Sequence, residues 1–109
     1  MVIYSGDILD TVNSFKDKGV SDDVMYTSLY LANKISKSGI RTIEVFLTGN
    51  NSIQFEREDD IVYKEVEIFS DGTVGLFYQV SRGDEIIYES KETKSSCLDD
   101  LDLAFSFII

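Results

Sequence analysis

Glutamates recur at alternate positions along short segments of the chain: Glu44 in one, Glu56 and Glu58 in the next, Glu65 and Glu67 in a third. Phe46, Tyr63 and Phe77 stand among them. Carboxylates spaced in this way have three uses. A pair can move protons, as in glycoside hydrolysis or other acid–base work. A cluster can hold a cation. A row can present negative charge to a basic surface, with the aromatic rings beside it supplying apolar area that anchors an interface. The chain has no histidine, which removes hydrolytic triads, most zinc sites and the commonest general base. Asp22-Asp23, Asp59-Asp60 and Asp99-Asp100 look like metal pairs, but no calcium-loop spacing surrounds them. The first and third read better as helix-start residues favoured by the helix dipole, and the second as a solvated turn. Cys97 is the only cysteine, so no intrachain disulfide can form, and with no histidine to activate it the thiol reads as inert at a helix start. No glycine pattern cradles a phosphate. The expectation is therefore no catalytic residue, no metal and no cofactor. Glu44, Phe46, Glu56, Glu58, Tyr63, Glu65, Glu67 and Phe77 are the expected partner-binding residues.

Placing those side chains together requires a sheet. Segments 43–47, 52–56, 62–68, 74–80 and 86–88 alternate apolar with polar residues and are rich in β-branched and aromatic types, the signature of half-buried strands. The turns fix which faces meet, because a slip of one residue turns every side chain over. Ser70, Asp71 and Gly72 as a three-residue loop, with Gly72 left-handed, pair Ile68 with Val74 and Val66 with Leu76. Gly49, Asn50 and Asn51 as a similar loop pair Leu47 with Ile53 and Val45 with Phe55. Asn51 must then be left-handed, which asparagine tolerates better than most residues. A two-residue turn at Asp59-Asp60 pairs Ile53 with Val66 and Glu56 with Tyr63. The inner face becomes Ile43, Val45, Leu47, Ile53, Phe55, Val62, Val66, Ile68, Val74, Leu76, Tyr78 and Val80, with Lys64 a misfit beside Phe55. The outer face gathers the eight partner-binding residues with Gln54 and Gln79. The register of the last strand is open.

Ile8, Val12 and Phe15 recur at helical spacing between Asp7 and Lys18, ended by Gly19. Ser21 caps a second helix with Met25, Leu29, Ala32 and Ile35 as its buried stripe, stopped at Ser38-Gly39. Tyr26 and Tyr30 lie off that stripe. Residues 91–96 read as a polar connector, and Ser96 caps a last helix with Leu98, Leu101, Phe105 and Ile108 facing inward. Helices flank the strands instead of alternating with them. The predicted class is α+β: an antiparallel five-stranded meander sheet with two N-terminal helices and one C-terminal helix packed on one face. The 109 residues are expected to form a single domain, 1–109.

The net charge of −10 is unevenly spread. Acids and bases balance in residues 1–42, so the whole excess lies in the strands, their turns and the last helix. Such a field repels nucleic acid and attracts basic surfaces. The plainer reading is that these acids only keep a small protein in solution. No apolar run is long enough to span a membrane and no signal peptide opens the chain, which points to the cytoplasm.

The run Ser-Ile-Gln-Phe-Glu at 52–56, followed by Val-Glu-Ile-Phe-Ser-Asp-Gly-Thr-Val at 66–74 and a short terminal helix, resembles small uncharacterised bacterial and phage α+β proteins. Arg57 stands where those often carry a tryptophan. The resemblance covers about the last half of the chain and implies no activity. In general character, short, acidic and without catalytic residues, the chain is similar to phage-encoded inhibitors of host defence, including anti-CRISPR proteins. The expected function is a non-enzymatic acidic interaction protein, a DNA mimic or steric inhibitor covering a basic nucleic-acid-binding surface. Its partner would be a basic protein, a nucleic-acid-binding effector, with no direct binding to nucleic acid or membrane. The alternatives are an antitoxin or immunity protein neutralising a basic toxin, and a small carboxylate enzyme.

Overall fold

Residues 8–40, 42–94 and 98–109 are described by a computed structural model. Asp7, Ser96 and Cys97, read above as helix-start residues, lie outside the described residues. Two helices, α1 (Ile8–Asn13) and α2 (Asp22–Ser38), precede five strands: β1 (Ile43–Leu47), β2 (Ile53–Glu58), β3 (Val62–Ile68), β4 (Val74–Arg82) and β5 (Glu85–Lys94). α3 (Leu98–Ile108) closes the chain. Each strand pairs antiparallel with the next in the order β1-β2-β3-β4-β5, the α+β meander that the alternation predicts.

The hairpins show what sets the register. Leu47 pairs with Ile53 across the first, and Ile68 with Val74 across the third, as the three-residue loops require. Asn51 has φ 60° and Gly72 φ 86°, each the left-handed residue that closes its loop. The second hairpin departs from expectation. Asp59 N–H donates to Val62 C=O at 2.8 Å, so the turn is at Asp60-Ile61, not Asp59-Asp60. Phe55 now faces Val66 and Ile53 faces Ile68. Aligning large apolar side chains across the core outweighs the turn preference of two aspartates. It also moves Lys64 away from Phe55, to a place across from Arg57 and Tyr78. The displacement is two residues, an even number, so every side chain keeps its face.

β5 is much longer than expected, because residues 91–94 are strand and not connector. A two-residue turn at Gly83-Asp84 pairs Arg82 with Glu85, and a bulge between Val80 and Ser81 leaves Ile87 as the extra residue. β5 is an edge strand, and the side chains of residues 85–92 are all exposed.

The helices cover the inner face. Ile43, Val45, Ile53, Phe55, Val66, Ile68, Val74 and Leu76 bury against Val24, Leu31 and Ile35 of α2 and Leu101, Ala104 and Ile108 of α3, in one cluster with Ile8 and Val12 of α1. Each Val, Leu, Ile or Phe among them taken fully from water contributes roughly 1.5–3 kcal/mol. α1 is shorter than its apolar spacing suggests. Ser14 Oγ donates to Thr11 C=O at 2.5 Å, and residues 15, 16 and 18 bond three residues back, so the helix tightens into turns before Gly19. On α2, Ser21 Oγ accepts from Val24 N–H and Gly39 is the left-handed cap. Met25, Ala32 and Ile35 are buried as their spacing predicts, Leu29 is only half-buried, and Val24, Thr27, Ser28 and Leu31 are buried beside them. The widening follows from position: α1 packs on one side and α3 on another, so the buried arc is wider than a single apolar stripe. Asp102 pins α3 to α2, its Oδ1 3.0 Å from both Lys34 Nζ and the Tyr30 hydroxyl. The Lys34 hydrogen bond, with that of Tyr30, holds the Asp102 carboxyl below its usual range. No helix among the described residues is long and apolar enough to cross a membrane.

Candidate functional site

All eight expected partner-binding residues lie on the face away from the helices. β1, β2 and β3 bring Glu44, Glu56 and Glu65 into one cross-strand row, continued by Phe77 on β4 and Lys91 on β5. On one side of it runs the row Glu58, Tyr63, Gln79, Glu89; on the other run Phe46, Gln54, Glu67 and Gly75. The expected pairing of Glu56 with Tyr63 is corrected, since Glu56 sits across from Glu65 and Tyr63 across from Glu58. Like charges are thus opposed twice in succession, which destabilises an antiparallel pair by itself. Arg57 and Lys64, the cations of β2 and β3, belong to the opposite face. There Arg57 Nη1 donates to Ile109 C=O at 2.7 Å, just past the end of α3.

Neutral donors hold the cluster together. The Tyr63 hydroxyl donates to Glu56 across the diagonal, with Glu65 Oε1 at 3.4 Å. Gln54 Nε2 donates to Glu56 Oε1 at 3.0 Å, and Ser52 Oγ to Glu67 Oε2 at 2.6 Å. Burial, the Glu56 hydrogen bond and the neighbouring carboxylates push the Tyr63 phenol far above its usual range, so it stays a neutral donor. Glu65 is raised too, chiefly by burial and then by the charges of Glu67 and Glu56, against the lowering effect of its hydrogen bonds.

The aromatic residues frame this charge. The Tyr63 and Phe77 rings meet edge-on at 6.0 Å and 66°, and Phe46 is 37% exposed. The sequence reading missed Phe69, whose ring lies so close over Gly75 that a Cβ there would sit 2.7 Å from it. Glycine inside a strand is the signal for such an approach, and here it makes room for the ring. Lys91 was also missed, as the 91–96 stretch carries no apolar alternation to mark it as strand. Two concavities open on the face: one of about 340 Å³ lined by Thr42, Glu44, Glu56, Glu58 and Tyr63, and a smaller one bounded by Glu65, Glu67, Phe69, Phe77 and Lys91. Among the described residues, no group of three or more His, Cys, Asp or Glu side chains is arranged to hold a metal ion.

Comparison of the chain with protein-family models, with curated proteins and with solved structures finds no match to any of them.

Proposed function

We propose that the outer face of β1–β4 docks a basic protein and covers its nucleic-acid-binding groove, as a non-enzymatic inhibitor of the DNA-mimic type. The observation that carries this reading is the placement of Glu56, Glu58, Glu65 and Glu67 on one surface while Arg57 and Lys64 of the same strands take the other. Opposed carboxylates cost the free protein stability, and a cationic partner would recover that cost on binding. The rings of Phe46, Tyr63, Phe69 and Phe77 supply the apolar anchor that a purely solvated surface has no use for. Charge would steer the encounter and the desolvated rings would slow release. A phage or mobile-element inhibitor acting inside the host cell, of the anti-CRISPR kind, is the setting this chemistry fits.

The test is capture from a host lysate followed by competition. The wild-type chain should retain basic nucleic-acid-binding proteins and release them when duplex DNA or salt is added. Converting Glu56, Glu58, Glu65 and Glu67 to Gln should leave the circular dichroism intact, slow the on-rate toward the captured protein and flatten its salt dependence. Tyr63→Ala should act chiefly on the off-rate. A quadruple variant that binds at the wild-type rate with wild-type salt dependence would overturn the reading. So would a captured partner that binds the chain and DNA at the same time.

A further inference from the structure

From β5 we infer that the chain associates with a second copy of itself, edge to edge, through antiparallel pairing of β5 with β5. A ten-residue edge strand leaves half of its backbone donors and acceptors facing away from β4, which is a template for another strand. Three large apolar side chains, Ile86, Ile87 and Tyr88, follow one another on this strand, each more than half exposed. Of the devices that normally blunt an edge, the bulge is confined to one end, and the charges along the strand, Glu85, Glu89, Lys91, Glu92 and Lys94, are of both signs and so can attract as well as repel a second copy. The bulge lies at Ile87, beyond which the pairing with β4 runs unbroken from Tyr88 to Lys94, and the chain contains no proline.

The occupant follows from charge and symmetry. A two-fold axis through an antiparallel pair sets one residue opposite its own copy and keeps facing residues on the same side of the sheet. With Ser90 on the axis, Glu89 faces Lys91 of the second copy and Lys91 faces Glu89, two ion pairs on the outer face. Moving the axis one residue either way sets Glu89 against Glu89 or Lys91 against Lys91, so the sequence selects the Ser90 register against both neighbours. No foreign strand is needed to complement this edge. The test does not depend on what the acidic face binds, since self-association is read on the chain alone with no partner present.

Sedimentation velocity over a concentration series tests it. The wild-type chain should move from the 12.3 kDa species to one of twice that mass as concentration rises. Glu89→Lys and Lys91→Glu each replace both attractive pairs by repulsive ones, and each should raise the dissociation constant on the order of ten-fold. The double swap Glu89→Lys with Lys91→Glu restores the pairs and should restore the wild-type value. A general effect of net charge predicts something else: the first substitution makes the chain less negative and the second more, so they would shift association in opposite directions. Both side chains are exposed, and circular dichroism checks that each variant is folded. A wild-type chain that stays monomeric at all concentrations overturns the inference. Single variants that associate like wild type, or that shift in opposite directions, do the same.

Discussion

Glu65 lies across from Glu56 on the outer face, with Phe77 on its other side. It sits between Glu56 and Glu67 and is partly shielded from water, so its carboxyl holds its proton to higher pH than an ordinary glutamate. A carboxyl raised in the folded state penalises folding once it ionises, and that penalty is absent below the unfolded value of 4.5. Glu65→Gln should therefore stabilise the protein at neutral pH, by about 0.5 kcal/mol on the scale of one opposed cross-strand pair. The gain should fade as pH falls through the raised range to the ordinary one. Urea midpoints of both proteins across that range measure it, and a gain independent of pH would mean that shape and not charge is responsible. Asp102 has the opposite sign. Its lowered carboxyl stabilises the α2–α3 contact above the ordinary aspartate range and loses that effect as pH falls through its own value. At this scale the sequence was legible where period two applies, which is why all eight face residues were found. Contacts along a diagonal, such as Tyr63 to Glu56, have no signature in the spacing of either residue.

At the scale of elements, the two three-residue loops fix the sheet. Gly72 occupies a left-handed conformation at φ 86°, where a β-branched side chain is strained. Gly72→Val should lower stability by about 1 kcal/mol or more, seen as a reduced urea midpoint with unchanged slope. An unchanged midpoint would mean that the loop can close in another geometry. These loops were readable because Asn and Gly announce a left-handed residue and because only one register matched apolar with apolar. The turn at Asp60-Ile61 lies one position past the expected one, which shifts the register by two residues, since paired aspartates signal a turn without fixing its centre. β5 was legible only as far as Tyr88. An edge strand exposed on both faces needs no alternation of hydropathy, and Glu89–Lys94 is held by backbone pairing that any residue except proline can make. α1 failed in the other direction: its apolar spacing continues to Phe15, but the Ser14 hydroxyl competes for the backbone.

Across the whole molecule, the sheet separates two environments, a helix-covered core and an acidic face, and its far edge belongs to neither. Burial ends on β4. Val74 and Leu76 are in the core, whereas Tyr78 and Val80 are only half-buried, and β5 packs almost entirely on β4. Tyr78 meets Tyr88 edge-on at 5.7 Å on the helix side of β5. β5 can therefore come away from β4 without opening the core, at a much smaller free-energy cost than global unfolding. Its amide hydrogens should exchange with solvent deuterium well before those of β2 and β3, as peptide-level mass spectrometry would record. Equal protection in all five strands would mean that the sheet opens only as a unit. A second copy binds the closed strand alone, so raising the protein concentration should slow exchange in β5 and leave the exchange of β2 and β3 where it was.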